Sequence, residues 1–277
     1  MIRYKNPEQI AILREGGHKL GLITARLAAE VRPGLTTADL EELLLQLIAD
    51  AGGAPSFKGY RVGRGRPFPT ALCASINQQI VHGPAVPGRI LKAGEIIGLD
   101  LGMEYPIKKA GHQPDWLVNK DSLHGGYFTD MAVTVPIGKV SQPVQKLINI
   151  TRQALDLAIA QVLPGNTLLQ IAQAIQPLAE KNGFSVVKDL VGHGVGLAVH
   201  EDPQIPHYVC NQYGEQDIIL KPGMVIAIEP MISLGSPEII GGQDGFSFET
   251  IDGSWSAHFE HTIAITATGR QILTLPE

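Results

Sequence analysis

The sequence predicts an α+β fold in which two helix–helix–sheet halves share one antiparallel sheet covered by helices. Three observations predict it. Two pairs of amphipathic helices each precede a set of short strand-like runs. Pro33-Gly34-x-Thr36 returns as Pro164-Gly165-x-Thr167, at an offset of 164 − 33 = 131. Leu91-Lys92-Ala93-Gly94 returns as Leu220-Lys221-Pro222-Gly223, at an offset of 129. Such self-similarity marks a duplicated architecture. The halves run from about 7 to 138 and from about 141 to 275, so 1–277 reads as a single domain with an internal repeat.

The elements follow in order. Asn6 caps a helix with Pro7 at its first position, where a missing N–H costs nothing. Ile10, Leu13, Gly17, Leu20, Thr24, Leu27 and Val31 form its apolar and small-residue stripe, which stops at Pro33-Gly34. Thr36-Thr37 caps a second helix with Leu40, Leu43, Leu44, Leu47 and Ile48 inward, ending at Gly52-Gly53. A basic loop, Lys58 to Pro69, reads as a solvated connection. Strands are expected at 71–76, 96–103 and 128–137. Ser141 then caps a helix carrying Val144, Leu147, Ile148, Leu155 and Ile159, and Thr167 caps another with Leu168, Ile171 and Ile175. Pro177 is expected to kink the latter. Strands resume at 225–231, 246–251, 259–266 and 271–275.

Composition sets the outer limits. Hydrophobic residues make up 44% and charged residues 18%, an ordinary globular balance. A net charge of −5 indicates neither a nucleic-acid surface nor a polybasic membrane patch. Two cysteines, Cys73 and Cys210, make no disulfide framework and suit a reducing compartment. No signal peptide and no membrane-length apolar run is read, so a cytoplasmic protein is expected.

The chemistry resides in the repeat. Six residues past the glycine of each Leu-Lys-x-Gly stands a carboxylate at the end of an apolar run, Asp100 and Glu229. Asp130 and Glu260 form a second matched pair, at an offset of 130. Singly, each has a structural reading as a turn or edge-strand charge. Jointly that reading fails, because strand interiors disfavour Asp and Glu and buried charges are seldom left unpaired. Four converging carboxylates repel, and two divalent ions would cancel their charge. Carboxylates bridge ions about 3.5–4 Å apart in two-metal hydrolytic sites. His193, set between Gly192 and Gly194 in the stretch Leu190–Pro203, completes one ion's shell. This oxygen-rich set suits Mn, Fe or Co alongside Zn. Water held between two such ions ionises near neutral pH and becomes a nucleophile for an amide carbonyl. Glu229 is a candidate proton shuttle, and His82 and His200 are candidate hydrogen-bond donors to the oxyanion or scissile amide.

These residues resemble the methionine aminopeptidase family, within the wider creatinase-like or pita-bread fold. The likeness covers about residues 6–273 and rests on Ser75-Ile-Asn77, Val81-His82-Gly83, Leu99-Asp100, Phe128-Thr-Asp130, Gly192-His193-Gly194, Val199-His200-Glu201, Ile228-Glu229-Pro230-Met231 and Phe259-Glu260-His261-Thr262. It implies a type I metallo-aminopeptidase forming one catalytic domain. It implies that Asp100, Asp130, His193, Glu229 and Glu260 ligate two divalent ions (Co, Mn, Fe or Zn), and that His82 and His200 contact substrate. Cys73 and Phe246 are expected in the methionine pocket. The implied reaction removes the initiator methionine from nascent chains when the second residue is small. The expected protein is a monomer acting on peptide or nascent-protein N-termini, with the ribosome as a further partner to be tested and no membrane or nucleic acid.

Three departures from that pattern are visible. The family separates its two aspartates by ten residues, whereas 130 − 100 − 1 = 29 intervene here. The extra segment, about 103–123, contains His112, Asp115 and Trp116, with His124 just beyond it, and reads as a hairpin extension near the mouth of the site. Asp115 is a rival second ligand, but Asp130 keeps the repeat offset. Second, Val199 before His200, and Asp100-Leu-Gly-Met-Glu-Tyr105, lean towards prolidase and Xaa-Pro aminopeptidase, the alternative branch. Third, Val199 and Phe246 leave the shape of the first-residue pocket open. A catalytically silent binding module would be expected to lose ligands that are present here. A mononuclear oxygenase with two histidines and one carboxylate would leave three acids unexplained.

Overall fold

The helices begin where their capping residues put them. In the computed structural model, which describes residues 1–61, 63, 65–107, 119, 121–210 and 217–276, α1 (Pro7–Glu30) starts at Asn6. The Asn6 side chain accepts from the Gln9 N–H while the Gln9 side chain accepts from the Asn6 N–H. This reciprocal box satisfies two donors that a helix start leaves open. Thr36 and Asp39 repeat the device for α2 (Thr37–Asp50). In the second half α3 (Gln142–Ala160) follows Ser141, which makes no side-chain cap bond, and α4 (Leu168–Lys181) follows Thr167. Pro177 does not end α4, which runs on to Lys181.

The first-half strands are β1 (Ala54–Pro55), β2 (Leu72–Ile76), β3 (Gln79–Val81), β4 (Ile96–Tyr105) and β5 (Tyr127–Pro136). The second half adds β6 (Ser185–Val186), β7 (Gly192–Gly194), β8 (Glu201–Ile205), β9 (Val225–Ile228) and β10 (Met231–Ser233). It ends with β11 (Ile239–Gly241), β12 (Phe248–Thr250), β13 (Ser256–His258), β14 (Glu260–Thr266) and β15 (Gly269–Ile272). The main sheet has the order β1-β4-β5-β14-β9-β7-β8, with β2 added on β4 and β15 on β14. Two small sheets, β13-β10-β6 and β11-β12-β3, flank it.

The repeat recurs bond for bond. Gly34 N–H donates to Leu91 O at 2.9 Å, and Gly165 N–H to Leu220 O at 2.9 Å. Gly94 N–H donates to Ile137 O at 2.8 Å, and Gly223 N–H to Ile265 O at 3.0 Å. β5 and β14 meet at the centre, flanked by β4 and β9. Leu99 and Leu101 of β4 pack with Leu20, Leu27, Leu40 and Leu44 of α1 and α2. Ile226, Ile228 and Ile263 pack with Leu147, Leu155, Ile171 and Ile175 of α3 and α4. The helices thus cover one face of these strands, and alternation leaves Asp100 and its neighbours on the other. On α1, a Cβ at Gly17 would lie 2.5 Å from Leu273 O, so the small residue in the apolar stripe lets the C-terminal segment lie against the helix.

Some boundaries differ from expectation. The run 225–231 breaks at Glu229-Pro230 into β9 and β10, since proline cannot donate to a ladder. The expected 246–251 strand narrows to β12, and 271–275 becomes β15. Within the Gly-rich stretch, His193 lies on a three-residue strand, β7. β4 and β5 pair out to Tyr105 and Tyr127, so antiparallel strands lead into and out of the 103–123 segment. His112, Asp115 and Trp116 lie outside the described residues. At the base of the extension the Asn119 side chain donates to Leu197 O at 2.7 Å, beside the segment leading to His200. Among the described residues no helix is long and apolar enough to cross a membrane.

Candidate metal centre

Strand register alone brings the acids together. Cross-strand partners point to the same face, and so do residues two apart along a strand. Ala132 of β5 faces Asp100 on β4 and Glu260 on β14. Asp130 lies two residues before Ala132. Thr262, two after Glu260, faces Ala227 on β9, and Ala227 in turn faces His193 on β7. Glu229 follows two residues after Ala227. Parity therefore puts Asp100, Asp130, Glu229, Glu260 and His193 on one face, with the small Ala132 and Ala227 between them.

Ligand atoms of Asp130, His193 and Glu260 lie within 4.8 Å of one another. His193 Nε2 is 3.4 Å from Asp130 Oδ2 and 3.4 Å from Glu229 Oε1. Its Nδ1 lies 2.9 Å from Gly194 O, so a hydrogen on Nδ1 leaves the Nε2 lone pair facing the acids. The flanking glycines are needed: a Cβ at Gly192 would lie 2.4 Å from Ala227 O, and one at Gly194 2.3 Å from Asp202 O. The Asp130 carboxylate accepts from Thr262 Oγ1 at 2.9 Å. Cys73 faces Asp100 across β2 and β4. Burial first, then the neighbouring acids, pushes the Cys73 thiol well up.

The acids are mutually strained. Burial raises Asp100 to about 7 and Glu229 to about 8, with repulsion from neighbouring acids working in the same direction. Glu260 is driven well up by burial and by Asp130, Glu229 and Asp100. Asp130 is raised by burial against the pull of His193 and Thr262. A cluster of ionised carboxylates is thus unfavourable by itself, and divalent cations are its charge complement. Four hard oxygen donors and one imidazole fit such ions.

The other expected residues surround this cluster. His200 is exposed at the rim. Its ring lies edge-on to His193 with centroids 4.4 Å apart, and its Nδ1 is 2.8 Å from the Tyr60 hydroxyl. Desolvation by the cleft walls, then His193 and His82, lowers its pKa. His82 sits in the left-handed region at φ 59°, facing Phe248 at 5.7 Å, and burial lowers it to about 4. Both imidazoles are therefore neutral near pH 7. Phe246 lies further out, edge-on to Phe68 at 5.7 Å and under Arg66 at 4.7 Å. Phe248, rather than Phe246, is the aromatic against His82. Val199, just before His200, is buried.

Three further groups were not anticipated. Tyr60 holds His200. His207, fully buried, accepts the Glu229 N–H on Nε2 at 3.2 Å. His258, 3% exposed, brings Nε2 to 3.5 Å from Glu229 Oε2. Only His258 carried a signal in the chain, standing two residues before Glu260.

The pattern of Metallopeptidase family M24 matches residues 11–108 and 118–267. The chain belongs to metallopeptidase family M24. It is 41% identical over 275 residues to Methionine aminopeptidase 1 of Bacillus subtilis, covering 99% of each. It is 35% identical over 275 residues to methionine aminopeptidase of Escherichia coli K12, covering 99% of this chain and 94% of that one. The crystal structure of methionine aminopeptidase from Thermotoga maritima superposes with a TM-score of 0.86 at 36% identity, covering 99% and 100%. Prolidase from Pyrococcus furiosus gives 0.71 at 21% identity and covers 99% of this chain but 66% of that one, a likeness of fold alone. This M24 member therefore sits with the methionine aminopeptidases and has the pita-bread fold. Divalent-metal use follows from the family.

Proposed function

We propose that this M24 metallo-aminopeptidase removes the N-terminal methionine of newly made proteins with a small second residue, at a two-metal centre held by Asp100, Asp130, His193, Glu229 and Glu260. The observation that carries the reading is the meeting of Asp130, His193 and Glu260 within 4.8 Å, on strands from both halves. Bound divalent ions supply an acidified water and a polarised carbonyl. The chain's own groups do the rest. Glu229 takes the proton of the attacking water through a carboxylate oxygen. With the Tyr60 hydroxyl donating to Nδ1, His200 carries its hydrogen on Nε2 and offers it to the oxyanion, while His82 donates to the scissile amide. Buried Cys73 and the aromatic pair Phe68 and Phe246 supply apolar and polarizable surface for a thioether. Two free cysteines suit the cytoplasm, where a monomer would meet nascent chains directly or on the ribosome.

The test is hydrolysis by the manganese-reconstituted protein of Met-Ala-Ser against Ala-Pro-X peptides. Cleavage of the first and sparing of the second is expected. Glu260→Ala, which removes a carboxylate supplied by the second half, should lower kcat/KM by two or more orders of magnitude with the fold intact by circular dichroism. Preference for Ala-Pro-X, or full activity in the variant, would overturn the reading.

A further inference from the structure

His258 is an unexplained group in this protein. It ends β13 and is 3% exposed, and its Nε2 has no hydrogen-bond partner among the described residues. A buried polar atom without a partner is costly, so such an atom in a native site needs an account. The ring cannot easily withdraw. The His258 N–H donates to Thr134 Oγ1 at 2.9 Å, and Thr134 Oγ1 donates back to His258 O at 2.8 Å. β10 pairs with the same residue through Met231. The backbone is thus held from both sides, with Nε2 facing Glu229 Oε2 at 3.5 Å.

Glu229 is gripped elsewhere as well. Its N–H goes to His207 Nε2 at 3.2 Å, and its Oε1 lies 3.4 Å from His193 Nε2. The two carboxylate oxygens therefore face two different histidines. The His193 Nε2 and Oε1 lone pairs are ones an ion would share, whereas His258 Nε2, opposite an ionised Oε2 with no such role, carries its hydrogen there, since two lone pairs would repel.

We propose that His258 is a positioning residue for Glu229: its Nε2–H goes to Oε2 and turns Oε1 towards His193 and the metal. The proposal rests on Glu229 being a metal ligand. It separates the two oxygens by task, with one held by the protein and the other free for the ion and the transferred proton. Groups behind ligands that act in this way are worth about 10- to 100-fold in metal affinity or activity.

The experiment titrates Mn²⁺ into metal-depleted protein by calorimetry, alongside kcat and KM on Met-Ala-Ser. His258→Leu should weaken one Mn²⁺ site by about 10-fold or more and lower kcat while KM stays within about 2-fold. His258→Gln, whose amide N–H reaches nearly as far, should recover most of the loss. His258→Asn, which is too short, should not recover it, and these two polar variants keep the test open if the leucine protein fails to fold. On a Glu229→Ala background, His258→Leu should cause no further loss of Mn²⁺ affinity, because its target is gone. Wild-type Mn²⁺ affinity in His258→Leu, or an undiminished loss on the Glu229→Ala background, overturns the proposal. Absence of Mn²⁺ binding by the wild-type protein overturns instead the metal-centre reading beneath it.

Discussion

β2 against β4 and β7 against β9 occupy matching places in the two halves, yet they carry different chemistry. Gly98 on β4 faces Ser75. Its counterpart Ala227, at 227 − 98 = 129, faces His193. Ser75 and His193 thus share one position of the duplicated sheet. Ser75 uses its hydroxyl locally, accepting from Gly83 N–H at 3.2 Å to brace the turn that carries His82. His193 reaches across to acids of both halves. Duplication supplies carboxylates in pairs, and divergence at one strand position supplies the imidazole.

The strongest way to break this comparison is to make the halves alike. His193→Ser places the first half's side chain in the second. It should lower kcat/KM on Met-Ala-Ser by two or more orders of magnitude and remove one Mn²⁺ from calorimetric titration. Unchanged stoichiometry and activity would show that the imidazole is dispensable.

The paired acids themselves come next, through pH. Burial and mutual repulsion raise Asp100, Asp130, Glu229 and Glu260 in the folded protein. Between the ordinary carboxylate range and those raised values the folded state binds more protons than the unfolded one. Stability of the metal-free protein therefore falls as pH rises, the reverse of the usual salt-bridged aspartate. Below about pH 7 the histidines His82, His200 and His207, lowered in the fold, act the other way, so the window is pH 7 to 8: raising pH across it should lower Tm by a few degrees without metal, and saturating Mn²⁺ should remove most of the fall. A metal-free Tm that climbs over this range would contradict the convergence of charge.

Much of this was legible in the chain, for a physical reason. Period-2 alternation and the repeat offsets fix which face a strand residue takes, so Asp100, Asp130, Glu229 and Glu260 could be paired from spacing. Caps such as Asn6-Pro7 declared the helices. Short strands were harder. β7 has three residues, and its glycines suggest a loop until β9 supplies the partner. His207 and Tyr60 lie in irregular segments, where no periodicity links them to Glu229 or His200. Phe248, two residues after Phe246, carries no signal of its own in the chain, and its contact with His82 is visible only in the fold.

A smaller effect tests why β7 needs its glycine. Gly192 precedes His193 as Ala74 precedes Ser75, so a methyl that one half carries is missing in the other. The Cβ of Gly192→Ala would lie 2.4 Å from Ala227 O and 3.2 Å from His207 Nε2. The strand must shift, at about 1–3 kcal/mol of stability in denaturant unfolding. Ala74→Gly in the first half costs a different thing, backbone entropy, at about 0.5–1 kcal/mol. Equal costs at the two positions would mean that the close approach of β7 to β9 is not what demands glycine.

The smallest effect concerns how an acid is aimed. Thr262 matches Ala132 at 262 − 132 = 130, so only one half carries a hydroxyl there. Thr262 Oγ1 bonds Asp130 O at 2.8 Å and Asp130 Oδ1 at 2.9 Å, and accepts from Asp130 N–H at 3.1 Å. Thr262→Val keeps the shape and removes these bonds, leaving a buried N–H unpaired at about 1–3 kcal/mol of stability. The charge of Asp130 is untouched, so Mn²⁺ affinity should fall by less than about 10-fold, well short of the loss in His193→Ser. Ala132→Thr, the reciprocal change, adds a hydroxyl opposite Asp100 and Glu260 but no ligand charge, and should change affinity by less than about 10-fold. A larger loss from Thr262→Val than from His193→Ser would mean that aim, rather than ligand identity, governs the centre.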